Sequence, residues 1–230
     1  MENNFEKEYQ LENDRILRIY RQNNPESPDA WGNTDTFLVY EHRQFSIKRE
    51  GFDPEDIAEW YGASFRTLDY EGHYVFPVAA YIHTSIILNL TDSLLRQGWD
   101  TSVKGFVLVH KDSIFITEKD KSKTKEQIAK EYAASLIETW NQYLSGDVWG
   151  FRVFKKVKYY RISESDFNNL KSSDSIDVKV IYPNQFLEIA QEVVELEQED
   201  SCSGFYGSDI KTNGILDTID YKLLENENTI

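Results

Sequence analysis

Cysteine is almost absent from this 230-residue chain, which has a single one, Cys202. One cysteine excludes an intrachain disulfide and a cysteine-rich zinc site. The four histidines, His42, His73, His83 and His110, show neither HxxH nor HExxH spacing. The sequence therefore predicts no histidine-based metal site, and no cofactor is expected.

Long apolar runs and a leader segment are also missing. The longest apolar stretch, 75–90, is broken by Pro77 and His83 and is too short and too polar to cross a bilayer. The N-terminus MENNFEKEYQ is acidic where a signal peptide needs a basic and then an apolar run. We therefore expect a cytoplasmic protein that has no membrane partner.

What the chain does contain is typical of a packed globular protein. Hydrophobic residues make up 40% and aromatic residues 14% of the sequence, so a folded core is expected rather than disorder. No low-complexity linker and no repeat of 20–50 residues divides the chain. We expect an N-terminal arm or short helix over 1–30, a single α+β domain over 31–224 and a disordered tail over 225–230.

The clearest predicted element is a long amphipathic helix that begins after Thr124. Thr124 and Gln127 have the spacing of a capping box, and Gly146 can take the left-handed conformation that ends a helix. Apolar residues recur every three to four positions and so share one face. They are Ile128, Tyr132, Leu136, Trp140, Tyr143 and Leu144. We interpret this stripe as core.

The remaining patterns predict a mixture of strands and shorter helices. A hairpin is expected over 36–48, and a helix is expected to begin at Asp53 and Pro54. Further along, 176–182 reads as a strand and Pro183 starts an amphipathic helix that extends to Leu196. The predicted fold class is α+β, mainly antiparallel sheet with a long central amphipathic helix and flanking helices.

Negative charge is concentrated in the last third of the chain. The whole chain has a net charge of −15, and 161–230 contributes five basic and fifteen acidic residues, or −10. Such a field repels phosphates, so direct binding of nucleic acid is not expected. The simple interpretation is a solvated acidic face. The alternative is a surface that occupies a basic site on a partner. Its candidate partner-binding residues are Glu192, Glu195, Glu197, Glu199 and Asp200.

One local pattern occurs three times: an aspartate, a few residues, then Gly-Phe. The three copies occupy 100–106, 147–151 and 200–207. In the structural interpretation the aspartate and the glycine form a turn and the aromatic residue enters a sheet. In the functional one the turns converge, and Asp100, Asp147 and Asp200 hold Mg²⁺ in a small metal-dependent hydrolase or nucleotide-processing enzyme.

Cys202 is a further candidate catalytic residue, because a cysteine beside a histidine can act as a nucleophile. No histidine lies at a known family spacing from it, so inert packing is the simpler interpretation. No complete catalytic signature is present in the chain, and the sequence favours a binding protein over an enzyme.

Three segments carry a resemblance to a known family: WDTSVKGFVLV, WNQYLSGDVWGF and DSCSGFYG. Together they resemble a family of small, poorly characterised proteins from phages and mobile elements of low-GC Gram-positive bacteria, over roughly 81–207. The resemblance assigns no catalytic residue.

The resemblance and the acidity together imply a role in anti-defence. They suggest an accessory protein that acts in the host cell and inhibits a nucleic-acid-handling or defence protein of the restriction or CRISPR type. In that hypothesis its carboxylates stand in for nucleic acid phosphates. A phage component that self-associates through its aromatic residues is a third hypothesis.

Overall fold

The computed structural model of the chain describes residues 5–32, 35–63, 70–91, 101–114, 121–161, 163, 165 and 191–224. Strands dominate them, with 46% of residues in strands and 25% in helices. The strands form two sheets, and one 20-residue helix is the longest in the described part of the chain. The predicted fold class, built on a long central helix with flanking helices, is therefore wrong.

The chain divides into two compact units. Unit 1 contains residues 1–21, 150–203 and 214–230, and unit 2 contains residues 22–149 and 204–213. Both units draw on the range 31–224 that the sequence predicts as one domain. The predicted strand 176–182 and the predicted tail 225–230 lie outside the described residues.

A four-stranded sheet forms the larger part of unit 1, in the order β1-β2-β8-β9. Its strands are β1 (Lys7–Leu11), β2 (Arg15–Arg21), β8 (Val148–Arg161) and β9 (Gln191–Tyr206). Where the sequence predicts an N-terminal arm or short helix, β1 and β2 form an antiparallel hairpin. Asn13 and Asp14 provide its turn with positive φ, which short polar side chains tolerate.

A five-stranded antiparallel sheet is the scaffold of unit 2, in the order β4-β3-β7-β5-β6. Its strands are β3 (Thr36–His42), β4 (Phe45–Ile47), β5 (His73–Ile82), β6 (Ile86–Leu90) and β7 (Thr101–His110). The predicted hairpin over 36–48 is confirmed as β3 and β4. The central strand β7 contains Gly105, which pairs with Tyr40 on one side and Val78 on the other.

Helices cover both faces of this sheet because its strands alternate with period two. Helix α1 (Pro54–Ala63) begins as predicted, with the Asp53 carboxylate accepting a hydrogen bond from the Glu55 amide at 2.7 Å. Phe37, Val39, Phe106 and Leu108 form one core cluster with α1 residues Ile57 and Tyr61. Leu38, Tyr40, Val107 and Val109 form the other with helix α2.

Helix α2 (Lys125–Leu144) has the capping box that the sequence predicts, with both reciprocal bonds between Thr124 and Gln127 present. Its buried face is rotated from the predicted stripe, because the small residues Ala129 and Ala133 allow close approach to the sheet. The buried residues are Ile128, Ala129, Ala133, Ile137 and Trp140. Tyr132 is exposed, so its placement in the core is wrong.

Residues 207–224, the last that the structure describes, contain one short helix, α3 (Ile215–Thr218), whose Ile215 is buried. Within the residues that the structure describes, no helix is long and apolar enough to span a membrane.

Candidate partner-binding surface and the converging turns

The acidic segment is a strand, not the helix that the sequence predicts from Pro183. Val193, Val194 and Leu196, which fall within that predicted helix, lie on β9. β9 is the last strand in the order of its sheet. All five predicted partner-binding residues lie on it and are exposed: Glu192, Glu195, Glu197, Glu199 and Asp200.

Alternation along β9 sorts these carboxylates into two faces. Glu195, Glu197 and Glu199 share one face, since successive side chains of a strand point to opposite sides. Residues two apart on a strand are about 6.6–6.8 Å apart, so the three form a short row. The opposite face carries Val194, whose side chain is 53% exposed.

Two carboxylates of this set, Glu192 and Glu199, form ion pairs within unit 1. Arg15 binds Glu199 with two hydrogen bonds, Nε to Oε2 at 2.6 Å and Nη2 to Oε1 at 3.2 Å. The side-chain hydrogen bond to Glu199 raises the pKa of Arg15 above its ordinary value. Lys158 on β8 pairs with Glu192 at 2.9 Å. The acidic strand therefore lies in a sheet that supplies part of its counter-charge.

Two of the three Asp/Gly-Phe segments meet in unit 2. The backbone oxygen of Asp147 accepts a hydrogen bond from the Gly207 amide at 3.0 Å, and Gly207 has a φ of 90°. The Asp147 carboxylate accepts a hydrogen bond from Trp149 Nε1 at 2.6 Å. Asn213 donates to the Gly207 carbonyl at 2.8 Å and fixes the loop. The Gly-Phe pairs of both copies lie within strands, Gly150-Phe151 in β8 and Gly204-Phe205 in β9, so the aromatic residues are part of a sheet as predicted. The predicted turn between the aspartate and the glycine is wrong, because 200–206 is continuous strand and Gly150 follows the start of β8.

The structure does not assemble the predicted trio of aspartates. Asp100 lies outside the described residues, and Asp200 lies on β9, where its carboxylate accepts a hydrogen bond from the Ser201 amide at 2.7 Å. No group of three or more histidine, cysteine, aspartate or glutamate side chains in the described ranges could hold a metal ion. Cys202 is exposed, and its thiol contacts the Ser203 carbonyl oxygen at 3.7 Å.

An acidic cleft of about 550 Å³ lies beside the two segments that meet. Its charged lining residues are Glu138, Asp147 and Asp209, and the rest of the lining is mainly hydroxyl and amide groups. One Asp209 carboxylate oxygen accepts a hydrogen bond from the Lys211 amide at 3.0 Å. The cleft can therefore accept hydrogen bonds from donor groups, although one Asp209 oxygen already accepts a hydrogen bond from the loop backbone.

Tyr206 anchors this loop, and sequence reasoning missed it. Its hydroxyl donates a hydrogen bond to the Glu26 carbonyl oxygen at 3.1 Å. Burial, with a smaller contribution from Tyr143, raises the pKa of Tyr206 to about 12. The signal that could have identified Tyr206 is its position in the GFYG segment, between Gly204 and Gly207.

A pair of histidines, one of them buried, was also missed. His73 and His110 are directly opposite each other on β5 and β7, and their ring centroids are 4.9 Å apart. The His73 side chain is buried, and its Nδ1 donates a hydrogen bond to the Glu71 carbonyl oxygen at 2.8 Å. His110 Nδ1 accepts a hydrogen bond from the Asp112 amide. Burial lowers the pKa of His73, because the charged ring loses its solvation.

The stability of the protein is therefore expected to fall as the pH falls through the range below 6.5. Unfolded His73 takes up a proton near pH 6.5, whereas folded His73 resists it until a lower pH. The stability is complete above the unfolded pKa and is lost as the pH approaches the folded pKa, by at most about 1.4 kcal/mol per pH unit for one proton. Urea denaturation between pH 7.5 and 5 measures this slope.

His73→Phe removes the titrating group but keeps a flat ring against Phe37 and Phe52. We expect this variant to have a smaller slope, while His83→Phe, at an exposed position, keeps the wild-type slope. Equal slopes in all three proteins would exclude His73 as the source.

Comparisons of this chain with protein-family models, curated proteins and solved structures found no match.

Proposed function

We propose that this chain is a binding protein whose acidic strand β9 occupies a basic, nucleic-acid-binding groove of a partner protein. The observation that carries the proposal is the composition and exposure of 191–203. It contains five acidic residues and no basic one, and all five are exposed on the terminal strand of the described sheet.

The spacing of the carboxylates supports substitution for phosphates. Glu195, Glu197 and Glu199 recur at about 6.6–6.8 Å along one face of a strand. A phosphate backbone also presents its negative charges at regular intervals, one per nucleotide. Lysine and arginine side chains arranged for a phosphate backbone can therefore reach these carboxylates.

The ion pairs of Glu199 with Arg15 and of Glu192 with Lys158 compete with such a partner. The Lys158–Glu192 pair is exposed and weak, because water and salt screen it, whereas the bidentate Arg15–Glu199 pair, with side chains 15% and 28% exposed, is the stronger competitor. A groove that presents several cations at once can exchange for these partners. The expected complex thus forms fast and weakens as salt rises.

The resemblance to phage and mobile-element proteins supplies the setting of the proposal. The partner is then a host nuclease of the restriction or CRISPR type, and the site of action is the host cytoplasm. The proposal involves no cofactor and no catalytic step.

The test is a competition experiment in which the chain displaces a labelled DNA duplex from candidate restriction and CRISPR-type nucleases. We expect displacement at about 50 mM salt that weakens strongly by about 200 mM. Replacing Glu195, Glu197 and Glu199 by glutamine is expected to lower the association rate at low salt at least about tenfold.

The matched control is Glu55→Gln, Asp56→Asn and Glu59→Gln on the exposed side of α1. It removes the same three charges from unit 2, so it should leave the association rate within about twofold if the effect is local to β9. If both triple variants lower the association rate equally, net charge alone explains the binding. Absence of displacement at low salt across the nucleases would contradict the proposal.

A further inference from the structure

A pocket of about 440 Å³ lies beside the first half of β3 in unit 2. The Asp35 carbonyl oxygen accepts a hydrogen bond from the His110 amide of β7, so the backbone groups of Thr36 and Leu38 face away from β7. On that side β4 pairs with Tyr40–His42 and does not extend to Thr36 and Leu38. The short length of β4 therefore leaves space beside β3, and both residues line the pocket.

One wall of the pocket is part of the aromatic stripe that the sequence predicts on α2. Tyr132, Leu136 and Trp140 follow one another at intervals of four residues, and all three line the pocket. Trp140 is buried and Leu136 is half-buried, whereas Tyr132 is 39% exposed. A pocket of about 300–1,000 Å³ with aromatic walls and a few polar groups is typical of a small-molecule site.

The charged residues of the pocket favour a positively charged ligand. Asp29 and Asp35 supply two carboxylates and Arg49 one guanidinium, so the lining has a net charge of −1. Ser27 Oγ donates a hydrogen bond to Asp29 Oδ1, and Asp29 is exposed, so its Oδ2 can accept a hydrogen bond from a ligand. The Arg49 guanidinium lies over the Phe37 ring, with Cζ 4.1 Å from the ring centroid. An ammonium group is the donor that complements such a lining.

We infer that this pocket binds a small aromatic amine. The ring of the ligand packs against Tyr132 and Trp140, and its ammonium group donates a charge-assisted hydrogen bond to Asp29. If the amine also carries a carboxylate, as an amino acid does, Arg49 is the partner of that group. The pocket lies in unit 2, so this inference does not depend on the function proposed for β9.

The test measures the binding of tryptamine to the full chain by isothermal titration calorimetry. We expect a dissociation constant below about 1 mM, which a ligand of this size can reach. Indole-3-propionate keeps the ring and replaces the ammonium group by a carboxylate, so it should bind at least about tenfold more weakly. A folded wild-type protein that does not bind tryptamine at about 1 mM, or that binds both compounds equally, overturns the proposal.

Two substitutions locate the ligand, each with a matched control outside the pocket. Asp29→Asn is expected to weaken tryptamine binding at least about tenfold, whereas Glu126→Gln, at an exposed position of α2, should leave it unchanged. Tyr132→Ala is expected to weaken binding about fivefold, whereas Tyr81→Ala, at a site that is 42% exposed on β5, should not. Both target side chains are exposed, so we expect the variants to fold. Equal losses in a variant and its control overturn the proposal.

L-tryptophan distinguishes a free amine from an amino acid, which share this chemistry. Binding as tight as that of tryptamine assigns an amino acid whose carboxylate reaches Arg49. In that case Arg49→Gln lowers the affinity for L-tryptophan and leaves the affinity for tryptamine unchanged. Weaker binding of L-tryptophan assigns a free amine. Both results support the pocket as the site.

Discussion

Replacing Gly105 with alanine is expected to lower the free energy of unfolding of unit 2 by about 3 kcal/mol or more. A Cβ atom at this position would lie 2.1 Å from Tyr40 Cδ2 and 2.6 Å from the Val39 backbone oxygen. Tyr40 is fully buried and β7 is paired on both sides, so neither the ring nor the backbone can move away cheaply.

Gly150→Ala is the matched control, since it makes the same change in another strand. Its Cβ would meet the far end of the Tyr20 side chain at 2.7 Å, and that ring can swing aside. We expect a loss of about 1 kcal/mol from this control. Urea denaturation of both variants measures the difference, and equal losses would show that the fit of Tyr40 over Gly105 is not the cause.

Trp140→Ala is expected to destabilise unit 2 by about 3–5 kcal/mol, the usual cost of truncating a buried aromatic side chain. Trp140 is 3% exposed, packs edge-on against Phe45 with ring centroids 6.0 Å apart, and lies in the cluster between α2 and the sheet. The indole leaves a cavity that the paired strands beneath it cannot close.

Tyr132→Ala tests the rotation of the buried face on the same helix. Tyr132 is 39% exposed, so its truncation should cost about 1 kcal/mol or less. Thermal unfolding of the two variants separates the alternatives. A larger loss of stability from Tyr132→Ala than from Trp140→Ala would favour the apolar stripe that the sequence predicts and contradict the observed packing of α2.

The parts of the fold that could be predicted are those determined by local sequence signals. The ends of α2 and the start of α1 depend on side chains that bond backbone groups a few positions away, so Thr124, Gln127 and Asp53 identify them directly. The buried face of α2 depends on the sheet that packs against it. The small residues Ala129 and Ala133 gave no signal as strong as the aromatic Tyr132.

The acidic segment shows why a helix was predicted where a strand forms. Glutamate, glutamine and leucine favour helices, whereas the stretch 194–199, VELEQE, alternates apolar or amide residues with glutamate at a period of two. The period is the better guide, and β9 follows it. Arg15–Arg21, in contrast, has arginine at every third position and no period-two alternation, so no such signal indicates the strand that forms where an N-terminal arm or short helix is predicted.

Some contacts in the candidate sites join residues that are distant in the sequence, and these contacts depend on the fold. The contacts of Arg15 with Glu199 and of Asp147 with Gly207 join residues far apart in the chain, and no local spacing predicts them. The exposure of the five carboxylates, in contrast, could be predicted, because aspartate and glutamate are rarely buried. The composition of 191–203 was therefore enough to identify them as surface residues.

The discontinuity of unit 1 has a consequence for the order in which the protein forms during synthesis. The hairpin of β1 and β2 leaves the ribosome first, but β2 pairs with β8, which begins at Val148, and the sheet ends with β9. The five strands of the other sheet all lie within 22–149. Most of unit 2 is therefore synthesised before β8 and β9 are available to pair with the N-terminal hairpin. The sheet of unit 1 is completed last.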